Sequence, residues 1–174
     1  MTATLAGGND GSSVILSDLT SLSLKAAKHG IFALDDLDLQ LSLALPDFAG
    51  DVQAIKDMIT YAESRGDVLV ICEPPKGTTP QNAASFKRNT LKSVSSHAAM
   101  YYPWVSVPDP LNKNRPKVIP PCGHIAGRMA YTDQAENVGK APAGVIRGQL
   151  AFISGVERVL SKAEQGVVYQ AQIN

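Results

Sequence analysis

Only two cysteines, Cys72 and Cys122, occur in the 174 residues, too few for the disulfide framework of a small secreted domain. Histidine is nearly as scarce: His29, His97 and His124 are the three, so the paired Cys/His motifs of a structural zinc site are missing. Charge is thin. Asp, Glu, Lys and Arg make up 18% of the chain, below the roughly 25% usual in soluble domains, and a surface partly covered by a partner would carry such a coat. Neither sign is in surplus, with 16 basic and 16 acidic residues, which disfavours generic binding to nucleic acid or to an anionic membrane. No apolar run approaches the roughly 18 residues needed to cross a bilayer. The opening MTATLAGGNDG has no basic start and no apolar stretch, so no signal peptide is expected.

What is present is a hydrophobic content of 44%, enough for a proper core in one domain over residues 1–174. The charge is unevenly placed. Residues 1–87 hold eleven acids and six bases, whereas residues 88–174 hold five acids and ten bases. A monomer can carry such a dipole without consequence, and a head-to-tail assembly can use it. Asp18 is placed to cap a helix running to about Lys28, with Gly30 as its end. Leucines at 37, 39, 41, 43 and 45 alternate with Asp38, Gln40, Ser42 and Ala44, the period of a strand, which Pro46 stops. Val52, Ile55, Ile59 and Ala62 repeat at helical spacing between Asp51 and Gly66. Val68–Cys72 is then an unbroken apolar run, suited to a central parallel strand covered on both faces. Strand, helix and strand make a βαβ unit.

Thr79 and Pro80 predict a helix start, and that helix runs to about Ser95. Ala98–Val105 (AAMYYPWV) predicts a third strand, with Pro103 forcing an edge, a bulge or an early end. Residues 109–117 read as a polar loop, Val118-Ile119 as a short extended piece, and Gly123 to about Asp133 as a slender helix. Residues 140–144 are a loop. Residues 145–153 are ambiguous between strand and helix, and 157–165 read as helical.

None of the candidate chemistry closes into a site. Cys122-Gly123-His124 pairs a thiol with an imidazole, yet no second motif completes a metal site, and the plain reading is a small residue and a polar one at a helix start. LAGGNDG lacks the Lys-Ser/Thr of a phosphate loop and follows no predicted strand. Asp35, Asp36 and Asp38 lack the alternating ligands and distal Glu of a calcium loop, so they read as a solvated turn. No nucleophile elbow occurs. Catalytic, cofactor-binding and metal-binding residues are therefore expected to be absent.

The stretch AAMYYPWVSVPDP, then VIPPCGHIAGRMAYTD, then KAPAG, in that order and spacing, closely resembles the contractile tail sheath proteins of bacteriophages and related particles. The family pattern has a YYPW strand, a PPSGHVAG helix start, a TD at that helix's end and a GVWKAPAG loop. LAGGNDG, LSLALPDF, GDVLVICEPP and AEQGVVYQAQIN resemble further family segments. Two departures stand out: Cys122 replaces the usual Ser, a near-isosteric change, and Gly139 stands where many members carry Trp.

The resemblance implies an α/β fold, a parallel sheet between helices like the three-layer sandwich of subtilisin. It implies a structural subunit that polymerises helically around an inner tail tube, meets a baseplate, and contracts to drive the tube through the bacterial envelope. The implied partners are other sheath subunits, the tube and the baseplate, with no cofactor, nucleic acid or membrane. The implied place is the virion tail, assembled in the host cytoplasm. A full subunit has an N-terminal region and a C-terminal domain that this chain is expected to lack, so the chain alone is expected to be monomeric or weakly associating. Two other roles compete: the sheath of a phage-derived bacteriocin or secretion machine, and, from fold analogy alone, a small subtilisin-like hydrolase.

Overall fold

A computed structural model describes Gly8 and residues 11–174. The LAGGNDG segment falls almost wholly outside the described residues. The chain forms two compact units, Met1–Asp38 and Leu39–Asn174.

The first unit holds α1 (Ser17–Thr20) and two 3-10 segments, Leu22–Leu24 and Gly30–Asp36. The single helix expected from Asp18 to Lys28 does not form. Ser21 leaves the helical region at φ −59°, ψ 130°, and its hydroxyl meets that of Ser23 at 2.8 Å. The Thr20 hydroxyl donates back to the Leu16 carbonyl oxygen. Short hydroxylated side chains offer the backbone such local alternatives, and three of them within four residues end the helix. Asp18 still works at the helix start, where its carboxylate accepts from the Ile15 N–H.

The second unit is mixed α/β. A three-stranded parallel sheet has the order β1-β2-β3, with β1 at Leu41–Leu43, β2 at Val68–Cys72 and β3 at Ala98–Met100. Leu41 pairs with Val68, and Val70 with Ala98. The alternating leucines give a strand only over its last part, because Leu37 and Leu39 stay exposed and outside the ladder. Between β1 and β2 runs α2 (Val52–Arg65). The Asp51 carboxylate accepts from the Ala54 N–H at 2.8 Å, and Gly66 closes the helix at φ 82°. Its buried stripe of Ala54, Ile55, Met58, Ile59 and Ala62 follows the predicted spacing.

β2 is central, as its apolar run requires. Val68, Val70, Ile71 and Cys72 are buried, and both α2 and α4 (Cys122–Ala135) pack on it. Gly50 lets the turn before α2 lie against the end of β2: a Cβ there would sit 2.5 Å from Pro75 Cα, closer than packed atoms allow. After β2, α3 (Pro80–Ser85) starts on the Thr79 cap and runs into a π-helical turn, Phe86–Leu91. Lys92, at φ 54°, stops it short of Ser95.

The stretch expected as one strand over Ala98–Val105 is divided between two sheets. β3 ends at Met100, and after the cis Tyr102–Pro103 bond β4 (Val105–Asp109) begins a second sheet of order β5-β4-β6. That antiparallel sheet occupies the stretch expected as a polar loop over residues 109–117 and a short extended piece at Val118-Ile119. Its hairpin joins β4 to β5 (Arg115–Ile119), and Lys113 and Asn114 make the turn with positive φ. Pro108 lies opposite Pro116. Two residues without an N–H thus share one position where the ladder needs none. β6 (Gly155–Val156) borders β4 on its other side.

The ambiguous stretch 145–153 holds one short helical segment, α5 (Gly144–Arg147), then loop. The last helix, α6 (Lys162–Gln170), begins later than expected. Ser161 and Glu164 form a capping box that fixes its start. The chain then runs to Asn174, whose N–H donates to the Met100 carbonyl and whose own carbonyl accepts from Tyr102 N–H, at 2.9 and 2.8 Å. This is a parallel bridge along the outer edge of β3.

Candidate functional site

Of the residues singled out for chemistry, Cys72 and Cys122 meet near the end of β2, beside Glu73, and the others lie apart from them. Cys72 closes that strand and Cys122 opens α4, both buried. Burial, with the neighbouring Glu73 charge adding to it, pushes each thiol up to about 12. A thiol held in its protonated form is a poor nucleophile and a poor metal ligand. His124 sits in the first turn of α4, and His97 Nδ1 lies 3.2 Å from the Val68 carbonyl oxygen at the sheet. His29 precedes the Gly30–Asp36 turn of the other unit. Among the described residues, no group of three or more His, Cys, Asp or Glu is placed to hold a metal ion. Asp36 pairs with Lys28 instead.

Glu73 carried no signal in the sequence. It follows the β2 run directly, is 2% exposed, and leaves its Oε2 without a hydrogen-bond partner. Burial raises its carboxyl to about 7, and the hydrogen bond with Cys122 pulls the other way. An acid in apolar surroundings is held neutral by the cost of desolvating its charge.

The motif that carries the sequence resemblance is a brace. Trp104 Nε1–H donates to the Pro74 carbonyl oxygen at 2.9 Å, and the Tyr102 hydroxyl donates to that of Thr78 at 2.7 Å. Two aromatic residues thus tie the 74–78 loop to the passage between the two sheets. Glu157 joins the same brace. Its N–H donates to the Trp104 carbonyl, and its carboxylate accepts from Gly77 N–H at 3.3 Å. Buried aromatic groups with satisfied polar ends both pack and orient.

The outer side of α4 is different. Arg128 donates from Nε to the Arg147 carbonyl and lies 4.9 Å from the centre of the Tyr131 ring. Arg147 pairs with Glu136. Beside them lies an open cavity of about 730 Å³, walled by Ile119, Pro120, Gly127, Tyr131 and Phe152. Val145, Ile146, Phe152 and Val159 are each more than four-fifths exposed. The KAPAG loop, residues 140–144, is exposed apart from a half-buried Pro142.

No protein-family model matches the chain. The tail sheath protein of Enterobacteria phage T4 is 26% identical to it over 98% of this chain and 28% of its own length. The tail sheath protein of Vibrio phage KVP40 is 38% identical over 35% of this chain and 9% of its own length. The chain thus spans less than a third of either relative. Among solved structures, the contracted helical sheath of the anti-feeding prophage is similar with a TM-score of 0.61 and 24% identity, over 81% of this chain and 36% of that one. A chain of the anti-feeding prophage baseplate is similar with a TM-score of 0.63 and 23% identity, over 95% of this chain and 48% of that one. The sequence resemblance to tail sheath proteins holds, and the fold is sheath-like.

Proposed function

We propose that this chain, a homologue of tail sheath proteins, is the part of a contractile sheath subunit that packs with its neighbours along a helical polymer around an inner tube. The likeness to a phage tail sheath protein along 98% of the chain carries this reading. The geometry supports it: a braced, buried centre beside exposed apolar side chains. On this reading the work is mechanical. A metastable arrangement of subunits gives way to a lower-energy one, and bistable interfaces release the difference as motion. No residue catalyses and no cofactor or metal takes part.

The finer fold is part of the same proposal. The parallel sheet with α2 and α4 packed on β2 corresponds to a subtilisin-like three-layer sandwich, and the chain's two units to one domain over residues 1–174. The partners are further sheath subunits, the tube and the baseplate, and the place is the tail of a virion after assembly in the host cytoplasm. The likeness to the anti-feeding prophage sheath favours a phage-like particle as a second home.

Immunogold electron microscopy of purified contractile particles carrying this chain tests the proposal. Label along the whole sheath is expected, and label confined to the tip, or absent, overturns it. A serine-directed phosphonate probe tests the competing hydrolase role. Stoichiometric labelling of one serine would replace the mechanical reading with the enzymatic one.

A further inference from the structure

We propose that the cavity on the outer side of α4 receives the Leu37-Asp38-Leu39 segment of a second copy of this chain. The partner's being another copy rests on the sheath reading above. The cavity, of about 730 Å³, is lined mainly by apolar side chains and by glycines. Its floor is open: a Cβ added at Gly123 or Gly127 would meet no atom within 4 Å. Its lip is formed by Phe152, 91% exposed and held at φ 59°. A bulky residue in the left-handed region is strained, and such strain collects where a side chain has a task. Arg128 stands at the rim, its guanidinium held by the carbonyl oxygens of Ile146 and Arg147. The cavity therefore fits an occupant with apolar side chains and a carboxylate beside them.

Residues 35–39 have that composition. Leu37 and Leu39 are 42% and 62% exposed, large apolar groups in water beside three aspartates. They lie in the acidic half of the chain, whereas the cavity lies in the basic half. Charge complementarity would steer the encounter and set its direction, and the two leucines would supply the burial. Groove and segment are different surfaces, so the contact is head-to-tail. Repeated without closure, such a contact builds a helix and not a ring.

Disulfide trapping on the 174-residue chain tests this. A Leu39→Cys chain and a Phe152→Cys chain are mixed at low salt and oxidised, the native cysteines being buried. The mixed dimer is expected to exceed both self-pairs and a Val94→Cys control, and to fade as salt rises. Gly127→Leu fills the cavity without an internal clash and with better helix propensity. It is expected to leave the melting temperature unchanged or higher, and to cut the mixed dimer by about tenfold, the loss of one leucine-sized contact. Phe152→Cys self-pairs in excess would mean that groove meets groove. That result, a mixed yield no higher than the control's, or a yield indifferent to Gly127→Leu overturns the proposal. The two readings fail separately. A chain that labels along a sheath but forms no mixed dimer sinks this contact alone, and a mixed dimer from a chain absent from sheaths sinks the sheath reading and leaves the contact.

Discussion

β2 and the stretch from Val138 to Val159 are both rich in aliphatic residues, yet they meet opposite fates. Val70 and Ile71 are 0% and 1% exposed, while Val145 and Ile146 are 85% and 83% exposed. The difference lies in periodicity and in neighbours. Val68–Cys72 is a run of β-formers with a helix-forming segment on either side, so both faces find cover within the chain. Val145, Ile146, Phe152 and Val159 are scattered among Gly, Ser and Arg, which fit neither a period of two nor one of 3.6. Their apolar surface has nothing local to pack on. One region puts its hydrophobicity into its own stability, and the other leaves it on the surface.

Three measurements would break or sharpen that contrast. The largest effect is expected in the covered region. Ile71→Ala should lower stability by about 2–5 kcal/mol in urea denaturation, the usual cost of a cavity in a tight core. A loss under 1 kcal/mol would show that β2 is not a load on the fold.

Next comes the acid beside it. Burial raises the Glu73 carboxyl from 4.5 to about 7, so the folded state binds this proton more tightly than the unfolded chain. The contribution is fully present below about pH 4.5 and is lost as pH rises through about 7, a change on the order of 3 kcal/mol. Urea titrations between pH 4.5 and 8 should show the native chain losing stability across that window, and Glu73→Gln should remove this part of the slope. A slope unchanged in the variant would mean that Glu73 does not titrate there.

The smallest effect belongs to the exposed region and has the opposite sign. Phe152→Gly should raise stability by up to about 1 kcal/mol, because glycine adopts φ 59° without strain and the ring buries nothing in the free chain. A thermal melt that drops in this variant would place the ring in the core after all.

How much was legible follows the same division. α2 and β2 could be read because cap, stripe, stop and run all pointed to one answer. The hairpin of β4 and β5 could not. Pro110 and Pro116 read as loop, and only the cross-strand register shows that Pro108 and Pro116 sit opposite each other without breaking the ladder. The helix after Asp18 was lost to hydroxyl groups competing for its backbone. Ser161-x-x-Glu164 is a capping box written in the sequence, and it sets the last helix later than residues 157–165. As for the site, the burial of Cys122 at the start of α4 was legible as a small residue at a helix start. Glu73 was not, since a single acid after an apolar run looks like the end of a strand. The cavity was invisible too, because it depends on Phe152 and α4 coming together across the fold.

The bridge from Asn174 to Met100 and Tyr102 has a consequence in time. β3 emerges from the ribosome well before the residues that close its outer edge, 74 positions further along the chain. Lys87 and Arg88 wait similarly for the carbonyl oxygens of Gln172 and Gln170. At the usual pace of about 5–20 residues per second, that interval lasts roughly 4–15 s. Closing the edge is then a long loop closure, entropically costly and slow. During those seconds the nascent chain carries an open strand, and crowded synthesis favours pairing between neighbouring polysomal chains. Slower translation after Met100 would lengthen this vulnerable period, and yield of folded protein should fall with it.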